Sequence, residues 1–231
     1  CKISYHTLAY ITNHYQMLTA GSALGKGCGP ILICREENIW RVVDNLKSKT
    51  NSIKLAIPGK FTTATLLLTM AFPFAIHNFE MKFYEIEDAV LKGNVDAGLI
   101  IHENRFTYES KGLKKIIDLG EFWESTTFAP IPLGGISIKG ALADDIKIKV
   151  NRVLRRSIEY ALANPHSSLE YVRIHAQEMD EEVMKKHIQL YVNNYSINLG
   201  MDGKNAVFTM LKQAAELGIG SFDFSDKIFI E

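Results

Sequence analysis

An excess of charge of either sign is missing from this sequence. Among its 231 residues, 26 are Lys or Arg and 26 are Asp or Glu, so the formal net charge at neutral pH is zero. Surfaces that bind nucleic acid and patches that bind anionic membranes both depend on clustered positive charge. The balance therefore argues against a nucleic-acid partner and a membrane partner, and it leaves room for a local basic pocket that holds one small anion.

Cysteine is also scarce. The chain has three cysteines, Cys1, Cys28 and Cys34, and no two of them form a Cys-x-x-Cys pair. An odd number without such pairing argues against a disulfide framework and against a zinc site. We therefore expect no metal and a reducing compartment, with Cys28 and Cys34 serving as small apolar side chains in the interior.

A hydrophobic run long enough to cross a bilayer is missing as well. The longest apolar stretch, around residues 64–75, is shorter than the roughly 20 residues of a membrane-spanning helix and contains Pro73. The chain begins at Cys1 in place of Met, and residues 1–4 are typical of the end of a strand. Two interpretations are open: Cys1 is the lipidated first residue of a bacterial lipoprotein, or the chain lacks its natural N-terminal segment. We favour the second, because lipoproteins usually continue with a flexible polar linker.

The sequence does contain short apolar strands alternating with amphipathic helices, which is typical of an α/β fold. Candidate strands include Ile31–Cys34 and Ile136–Lys139, and candidate helices include Tyr5–His14 and Asp144–Asn164. We expect two lobes with a ligand cleft between them. Residues 1–57 and 137–231 are predicted to form the larger, discontinuous lobe, and residues 58–136 the smaller one.

One candidate binding segment follows a predicted strand that ends at Ile57. In residues 58–64 (Pro-Gly-Lys-Phe-Thr-Thr-Ala), the Pro-Gly pair makes a sharp turn and the next residues open a helix. Free backbone N–H groups and two threonine hydroxyls at a helix N-terminus form a ready site for an anion. The alternative is that Thr62 merely caps the helix, and on the sequence alone capping is the better interpretation.

A second candidate is His102, which follows the predicted buried strand Val95–Ile101. Ligand groups collect at the carboxyl ends of strands in open α/β sheets, and an imidazole there can act as a general base near neutral pH. Glu103, the next residue, is placed to orient or polarise it. The alternative is a surface or hydrogen-bonded histidine without a catalytic role, as most single histidines are.

Other patterns point away from familiar enzyme classes. Residues 25–30 are glycine-rich but lack the Lys-Ser/Thr ending of a phosphate-binding loop, so they predict no nucleotide site. Ser137 lacks the Gly-x-Ser-x-Gly elbow of a serine hydrolase. Residues 191–196 (Tyr-Val-Asn-Asn-Tyr-Ser) either line a cleft for an aromatic ligand, with Asn194 among them, or simply end a helix through an asparagine.

Six stretches carry a resemblance to a known family. They are residues 23–30 (Ala-Leu-Gly-Lys-Gly-Cys-Gly-Pro), 58–64, 98–108 (Gly-Leu-Ile-Ile-His-Glu-Asn-Arg-Phe-Thr-Tyr), 118–124 (Asp-Leu-Gly-Glu-Phe-Trp-Glu), 130–135 (Pro-Ile-Pro-Leu-Gly-Gly) and 191–196. In content and order they resemble signature stretches of the 1,4-dihydroxy-6-naphthoate synthases of the bacterial futalosine route to menaquinone. The His-Glu-x-Arg-Phe-Thr-Tyr stretch is the most specific of them.

The resemblance implies a fold, a reaction and a set of site residues. That family has the two-lobed fold of type II periplasmic binding proteins and works in the cytoplasm. It converts cyclic dehypoxanthinyl futalosine to 1,4-dihydroxy-6-naphthoate in a lyase reaction without a metal or nucleotide cofactor. The family's proposed catalytic base falls on His102, and its substrate-binding residues fall on Ser4, Thr63 and Ala64. Further candidates for the site are Thr62, Glu103 and Asn194.

Two departures from the family's pattern stand out. The family normally begins with a strand that carries Ser-Pro-Cys-Pro-Asn-Asp, and this opening, about fifty residues by ordinary element lengths, does not occur in the chain. Part of the cleft wall would belong to it. Phe61 also stands where relatives often have histidine or another aromatic residue.

We therefore expect an acid/base lyase with a small-molecule substrate and no cofactor, and a homodimer if the protein self-associates. Three rivals remain open. The first is a solute-binding protein of the same fold without catalysis, which a cleavable signal on the natural gene product would favour. The second is the chorismate dehydratase of the same pathway, against which the stretch that contains His102 argues. The third is a catalytically inactive fragment.

Overall fold

The computed structural model describes residues 1–48, 52–74, 78–175, 180–220, 222 and 227–230. Contacts between residues divide the chain into two compact units. The first unit contains residues 1–25 and 129–231, and the second contains the continuous segment 26–128. Helices and strands occur in both units, so the predicted α/β class is confirmed.

Short strands and helices alternate along much of the chain. The strands are β1 (Lys2–Ser4), β2 (Tyr15–Met17), β3 (Ala23–Gly25), β4 (Ile31–Cys34), β5 (Leu55–Ile57), β6 (Asn78–Glu80), β7 (Ala97–Ile100), β8 (Lys114–Asp118) and β9 (Ile131–Lys139). The helices are α1 (Tyr5–Leu8), α2 (Ile39–Lys47), α3 (Thr63–Ala71), α4 (Ile86–Leu91), α5 (Asn104–Thr107), α6 (Leu119–Thr127), α7 (Asp144–Ala163), α8 (Leu169–His175), α9 (Glu181–Tyr191), α10 (Asn194–Ile197) and α11 (Gly200–Glu216). Among the residues described, no helix is both long enough and apolar enough to cross a membrane.

The sheet of the first unit is built around β9. This strand pairs antiparallel with β1, β2 and β3, with Ser4 opposite Gly134. Two glycines let its neighbours approach closely: a Cβ atom on Gly134 would lie 2.5 Å from the carbonyl oxygen of Ile3, and one on Gly135 would lie 2.6 Å from Cε of Met17. A larger residue at either position would therefore collide with the sheet.

The second unit contains a five-stranded sheet in the order β6-β5-β7-β4-β8. β5 runs parallel to β6 and β7, whereas β4 runs antiparallel to both of its neighbours, β7 and β8. All four residues of β4 are buried, as is typical of a strand whose sheet is covered on both faces. The core joins Ile33 of this strand to Ile86 and Val90 of α4 and to Tyr108 in the segment after β7.

The predicted lobe boundaries differ from this division. The sequence predicts residues 26–57 in the larger lobe, but β4 and β5 both pair with β7 in the sheet of the second unit. It predicts residues 129–136 in the smaller lobe, but β9 begins at Ile131 and pairs there with β3 of the first unit. Pairing between strands that are distant in sequence decides both boundaries, and apolar runs alone do not show which strands pair.

Candidate functional site

One edge of the sheet in the second unit collects the ends of several strands. β5 and β7 are parallel neighbours, so their carboxyl ends lie at the same edge. Ile31, at the start of β4, lies opposite Ile100 at the end of β7 and opposite Asp118 at the end of β8. The segments after β5, β7 and β8 and the glycine-rich segment before β4 therefore share this edge. In open α/β sheets, ligands bind outside the carboxyl ends of the strands.

The segment after β5 brings three predicted site residues to this edge. Gly59 has a φ angle of 148°, which glycine adopts readily, and the chain turns there toward α3. Thr62 caps the helix, since its Oγ1 accepts a hydrogen bond from the backbone N–H of Thr65 at 3.2 Å. The capping interpretation is thereby confirmed. Thr63 and Ala64 follow in the first turn and are 3% and 4% exposed. A ligand that contacts them would therefore have to approach the N-terminal end of the helix.

The segment after β7 brings His102 and Glu103 to the same edge. β7 ends at Ile100, and His102 is exposed with a φ angle of 57°. This left-handed conformation is uncommon for a residue other than glycine. The ring of Phe83 contacts the imidazole edge-on, with 5.1 Å between ring centroids. Glu103 is half-buried, and its carbonyl oxygen accepts a hydrogen bond from the backbone N–H of Phe106 at 2.9 Å. The imidazole is therefore accessible to a ligand at the end of a buried strand.

A buried carboxylate in α4 holds the segment that follows His102. Glu87 is 1% exposed. Its Oε2 accepts hydrogen bonds from Nδ2 of Asn104 and from Nζ of Lys111, each at 2.5 Å. A carboxylate removed from water needs such partners, because burying an unpaired charge is very costly. Glu87 therefore ties two points of this segment to α4.

A second buried carboxylate holds the same segment from the other side. Asp118 is 3% exposed, and its Oδ1 accepts hydrogen bonds from the backbone N–H groups of Gly120 and Glu121 at 2.8 and 3.2 Å. Its Oδ2 accepts one from the guanidinium of Arg105 at 2.7 Å, and Arg105 also donates to the carbonyl oxygen of Gly29 at 2.5 Å. These charge-assisted bonds tie the glycine-rich segment, the segment after β7 and the start of α6 together.

The candidates predicted from the sequence did not include Glu87, Arg105 or Asp118. Arg105 and Asp118 lie inside stretches that carry the family resemblance, so a signal for them was present in the sequence. Glu87 gave no such signal, because a glutamate in a short amphipathic helix is normally a solvated residue and is almost never fully buried.

Cys28 and Cys34 lie in the interior of the second unit as free thiols. Burial, followed by the negative charge of Glu124, raises the pKa of the Cys28 thiol to about 12. Burial, followed by the negative charge of Glu37, raises the pKa of the Cys34 thiol to about 11. Both thiols are therefore protonated at neutral pH, which argues against a nucleophilic or metal-ligating role.

Two of the predicted site residues, Ser4 and Asn194, belong to the first unit. Ser4 caps α1, since its Oγ accepts a hydrogen bond from the backbone N–H of Thr7 at 2.9 Å. Asn194 is exposed at the start of α10. Its neighbour Asn193 caps that helix and donates a hydrogen bond to the carbonyl oxygen of Leu24 at 2.9 Å. In this stretch Asn193 is thus the residue that stabilises the fold. The role of Asn194 in binding stays a prediction.

Comparison with known proteins gives a match along nearly the whole chain. A family model described as menaquinone biosynthesis matches residues 1–216. Two relatives both bear the name 1,4-dihydroxy-6-naphtoate synthase. The one from Thermus thermophilus is 36% identical over 220 residues, which cover 95% of this chain and 77% of the relative. The one from Streptomyces coelicolor is 40% identical over 223 residues, which cover 94% of this chain and 76% of the relative.

Solved structures give a match at the level of the fold. Protein AF1704 from Archaeoglobus fulgidus is 33% identical, with a TM-score of 0.84 over 94% of this chain and 78% of that protein. The ligand-binding component of an ABC-type import system from Staphylococcus aureus is 14% identical, with a TM-score of 0.63 over 100% of this chain and 77% of that protein. The second likeness concerns the fold alone, and it confirms the predicted fold type of periplasmic binding proteins.

Proposed function

The chain belongs to the menaquinone biosynthesis family, and on that premise we propose that this enzyme converts cyclic dehypoxanthinyl futalosine to 1,4-dihydroxy-6-naphthoate as a lyase. The observation that carries the proposal is an identity of 36% and 40% with two proteins that bear the name of this synthase, over 95% and 94% of the chain. Neither bears the name of a chorismate dehydratase or of a solute-binding protein, so those two rivals are not favoured.

In the proposed reaction, His102 is the general base. Imidazole is the side chain that most often moves protons near neutral pH. His102 removes a proton from the substrate, and the electron pair left behind forms a new double bond as a carbon–carbon or carbon–oxygen bond breaks. The new ring becomes aromatic during these steps, and its aromaticity supplies driving force. The protein therefore needs only to position the substrate and to move the proton.

The remaining site residues are proposed to bind the substrate. Thr63 and Ala64 lie in the first turn of α3, at the positive end of the helix dipole, so they suit a carboxylate or another polar oxygen. Thr62 supports them through the cap that it forms. Ser4, Glu103 and Asn194 are proposed as further contacts, on the strength of the resemblance to the synthases.

The proposed setting follows from the same resemblance. The enzyme acts on a small molecule in the cytoplasm, and the proton transfer assigned to His102 calls for neither a metal nor a nucleotide. A homodimer is the assembly proposed if the protein self-associates.

The test is conversion of the cyclic substrate by the wild-type protein and by His102→Asn, with release of the naphthoate measured by its absorbance. The wild type should release product in the presence of a chelator. His102→Asn should turn over about 100- to 10,000-fold more slowly, which is the usual contribution of a general base. Calorimetry should show nearly unchanged affinity for the product, because ground-state binding does not depend on the base.

Three results would overturn parts of this proposal. Ligand binding without turnover by the wild type would assign a solute-binding protein. Loss of turnover in chelator, with recovery on adding a divalent metal, would assign a metal-dependent reaction. Near-wild-type turnover by His102→Asn would move the base to another residue.

A further inference from the structure

The backbone at His102 is held in a conformation that an L-residue disfavours. A φ angle of 57° brings Cβ close to the following carbonyl oxygen. Residues in such conformations persist where the surrounding structure fixes them, and they cluster at functional sites. The contacts of the segment directly after His102 therefore help to fix its backbone, beside the contact that the ring of Phe83 makes with the imidazole.

Asn104 is the nearest anchor of that segment. It lies two residues after His102, begins α5 and is 7% exposed, and its Nδ2 donates a hydrogen bond to Glu87 at 2.5 Å. Glu87 belongs to α4, which packs tightly on β7: a Cβ atom on Gly98 would lie 2.4 Å from Cγ2 of Ile86. The position of Asn104 is thus fixed relative to the strand that leads to His102.

The buried carboxylate of Glu87 stabilises the fold less than an apolar side chain at this position would. Its Oε1 is buried and makes no hydrogen bond to any residue in the described part of the chain. A buried polar atom without a partner lowers stability, so an apolar side chain would pack α4 at lower cost. What the carboxylate adds is a fixed acceptor for Asn104 and Lys111, and this points to a role in geometry.

We propose that Glu87 is a positioning residue for the reaction. Through its hydrogen bond to Asn104 it holds His102 in the left-handed conformation, and it thereby aims the imidazole at the substrate. The inference rests on the proposed function, in which His102 is the base. Glu87 exchanges no proton with the substrate and acts through His102 alone.

The first test variant is Asn104→Ala, which breaks the link and leaves Glu87 paired with Lys111. Arg105 still ties the segment to Asp118 and Gly29, so the fold should persist. We expect kcat to fall about tenfold to a hundredfold, the loss that a misplaced reacting group brings, with KM nearly unchanged. In a His102→Asn background the same substitution should cause no further loss, because a residue that acts through His102 has nothing left to position.

Two further variants separate positioning from stability. Glu87→Gln keeps an oxygen that accepts the hydrogen bond of Asn104, so this single variant should retain most of the kcat that Asn104→Ala loses. Asp96→Ala is the matched control at the opposite end of β7. Asp96 accepts a hydrogen bond from the backbone N–H of Lys54 at 2.8 Å and pairs with Arg41 at 3.0 Å. Its removal should lower Tm and leave kcat unchanged.

A backbone measurement makes the inference independent of turnover. The ¹³Cα chemical shift of residue 102 reports its conformation, and Asn104→Ala should move it away from the left-handed range. An active wild type, together with unchanged kcat or an unchanged shift in Asn104→Ala, would overturn the role of Glu87 and leave the proposed function standing. If the wild type does not convert the cyclic substrate, the proposed function fails, and the shift alone decides whether Glu87 positions residue 102.

Discussion

At the scale of single residues, two residues other than glycine adopt a backbone conformation that favours glycine. Within the described ranges, His102 and Phe128 are the residues other than glycine with a positive φ, at 57° and 56°. Phe128 follows the last residue of α6, where a left-handed residue is a common way to end a helix. His102 follows a strand, so helix termination does not account for its conformation.

Glycine substitutions distinguish these two cases. His102→Gly and Phe128→Gly should each raise the free energy of unfolding in urea by about 0.5–1 kcal/mol, because loss of Cβ relieves more strain than glycine costs in unfolded-chain entropy. Turnover should be lost in His102→Gly and unchanged in Phe128→Gly. If His102→Gly proves less stable than the wild type, the contacts of the imidazole outweigh the cost of its backbone.

The three thiols should differ sharply in reactivity. With a pKa of about 12 for Cys28, about one such thiol in ten thousand is ionised at pH 8, and the thiolate is the reactive form. Ellman's reagent at pH 8 should therefore label the exposed Cys1 quickly and reach Cys28 and Cys34 only after denaturation. Peptide mass spectrometry identifies the labelled sites. Fast labelling of Cys28 in the native protein would contradict its burial.

At the scale of secondary-structure elements, some local patterns predicted the structure well. β4 has the predicted bounds Ile31–Cys34, and α7 ends one residue before the predicted Asn164. These elements have a clear apolar run or helical period of their own. The helix predicted for residues 5–14 is wrong beyond Leu8, where α1 ends. The strand predicted for residues 136–139 is only the last part of β9.

The failure at β9 has a physical reason. Pro132, Gly134 and Gly135 argue against a strand when they are considered locally. In the sheet, the two glycines are needed because neighbouring strands and side chains approach within 2.5–2.6 Å of where a Cβ would lie. The candidate site shows the same difference between local and distant signals. His102 and residues 62–64 were predicted because they follow strands. The burial of Glu87 depends on Asn104 and Lys111, which no local pattern links to it.

The close approach at Gly134 can be tested directly. In Gly134→Ala the new methyl group would lie 2.5 Å from the carbonyl oxygen of Ile3, inside the pairing of β1 with β9. We expect a loss of about 1–3 kcal/mol in the free energy of unfolding, as overpacking usually causes. Gly140→Ala is the control, because its methyl group would lie 3.3 Å from the nearest atom, the carbonyl oxygen of His14. Equal stability of the two variants would mean that β1 moves aside.

At the scale of the whole molecule, the two units differ in how the chain builds them. Two distant segments form the first unit, and one continuous segment, residues 26–128, forms the second. The second unit has its own sheet and its own core, in which Ile33 and Trp123 are fully buried. A continuous segment with its own core meets the usual requirements of an independent domain.

We therefore expect residues 26–128 to fold when expressed alone. The fragment should show a cooperative thermal transition by circular dichroism and dispersed amide signals by NMR. Trp123→Ala in the same fragment is the control, since removal of a buried tryptophan costs about 3–5 kcal/mol and should abolish or strongly lower the transition. A fragment without a cooperative transition would show that its core depends on the first unit.

During synthesis on the ribosome, β1 cannot pair with β9 until the residues between them have been made. Oγ of Ser137 donates a hydrogen bond to the carbonyl oxygen of Cys1, 136 residues earlier in the chain. At about 5–20 residues per second, β1 and α1 emerge roughly 6 to 26 seconds before β9. During that interval Tyr5 and Leu8, both 0% exposed in the folded protein, lack the cover that β9 gives to α1. The nascent chain therefore offers chaperones an apolar segment after every strand of the second unit has been made.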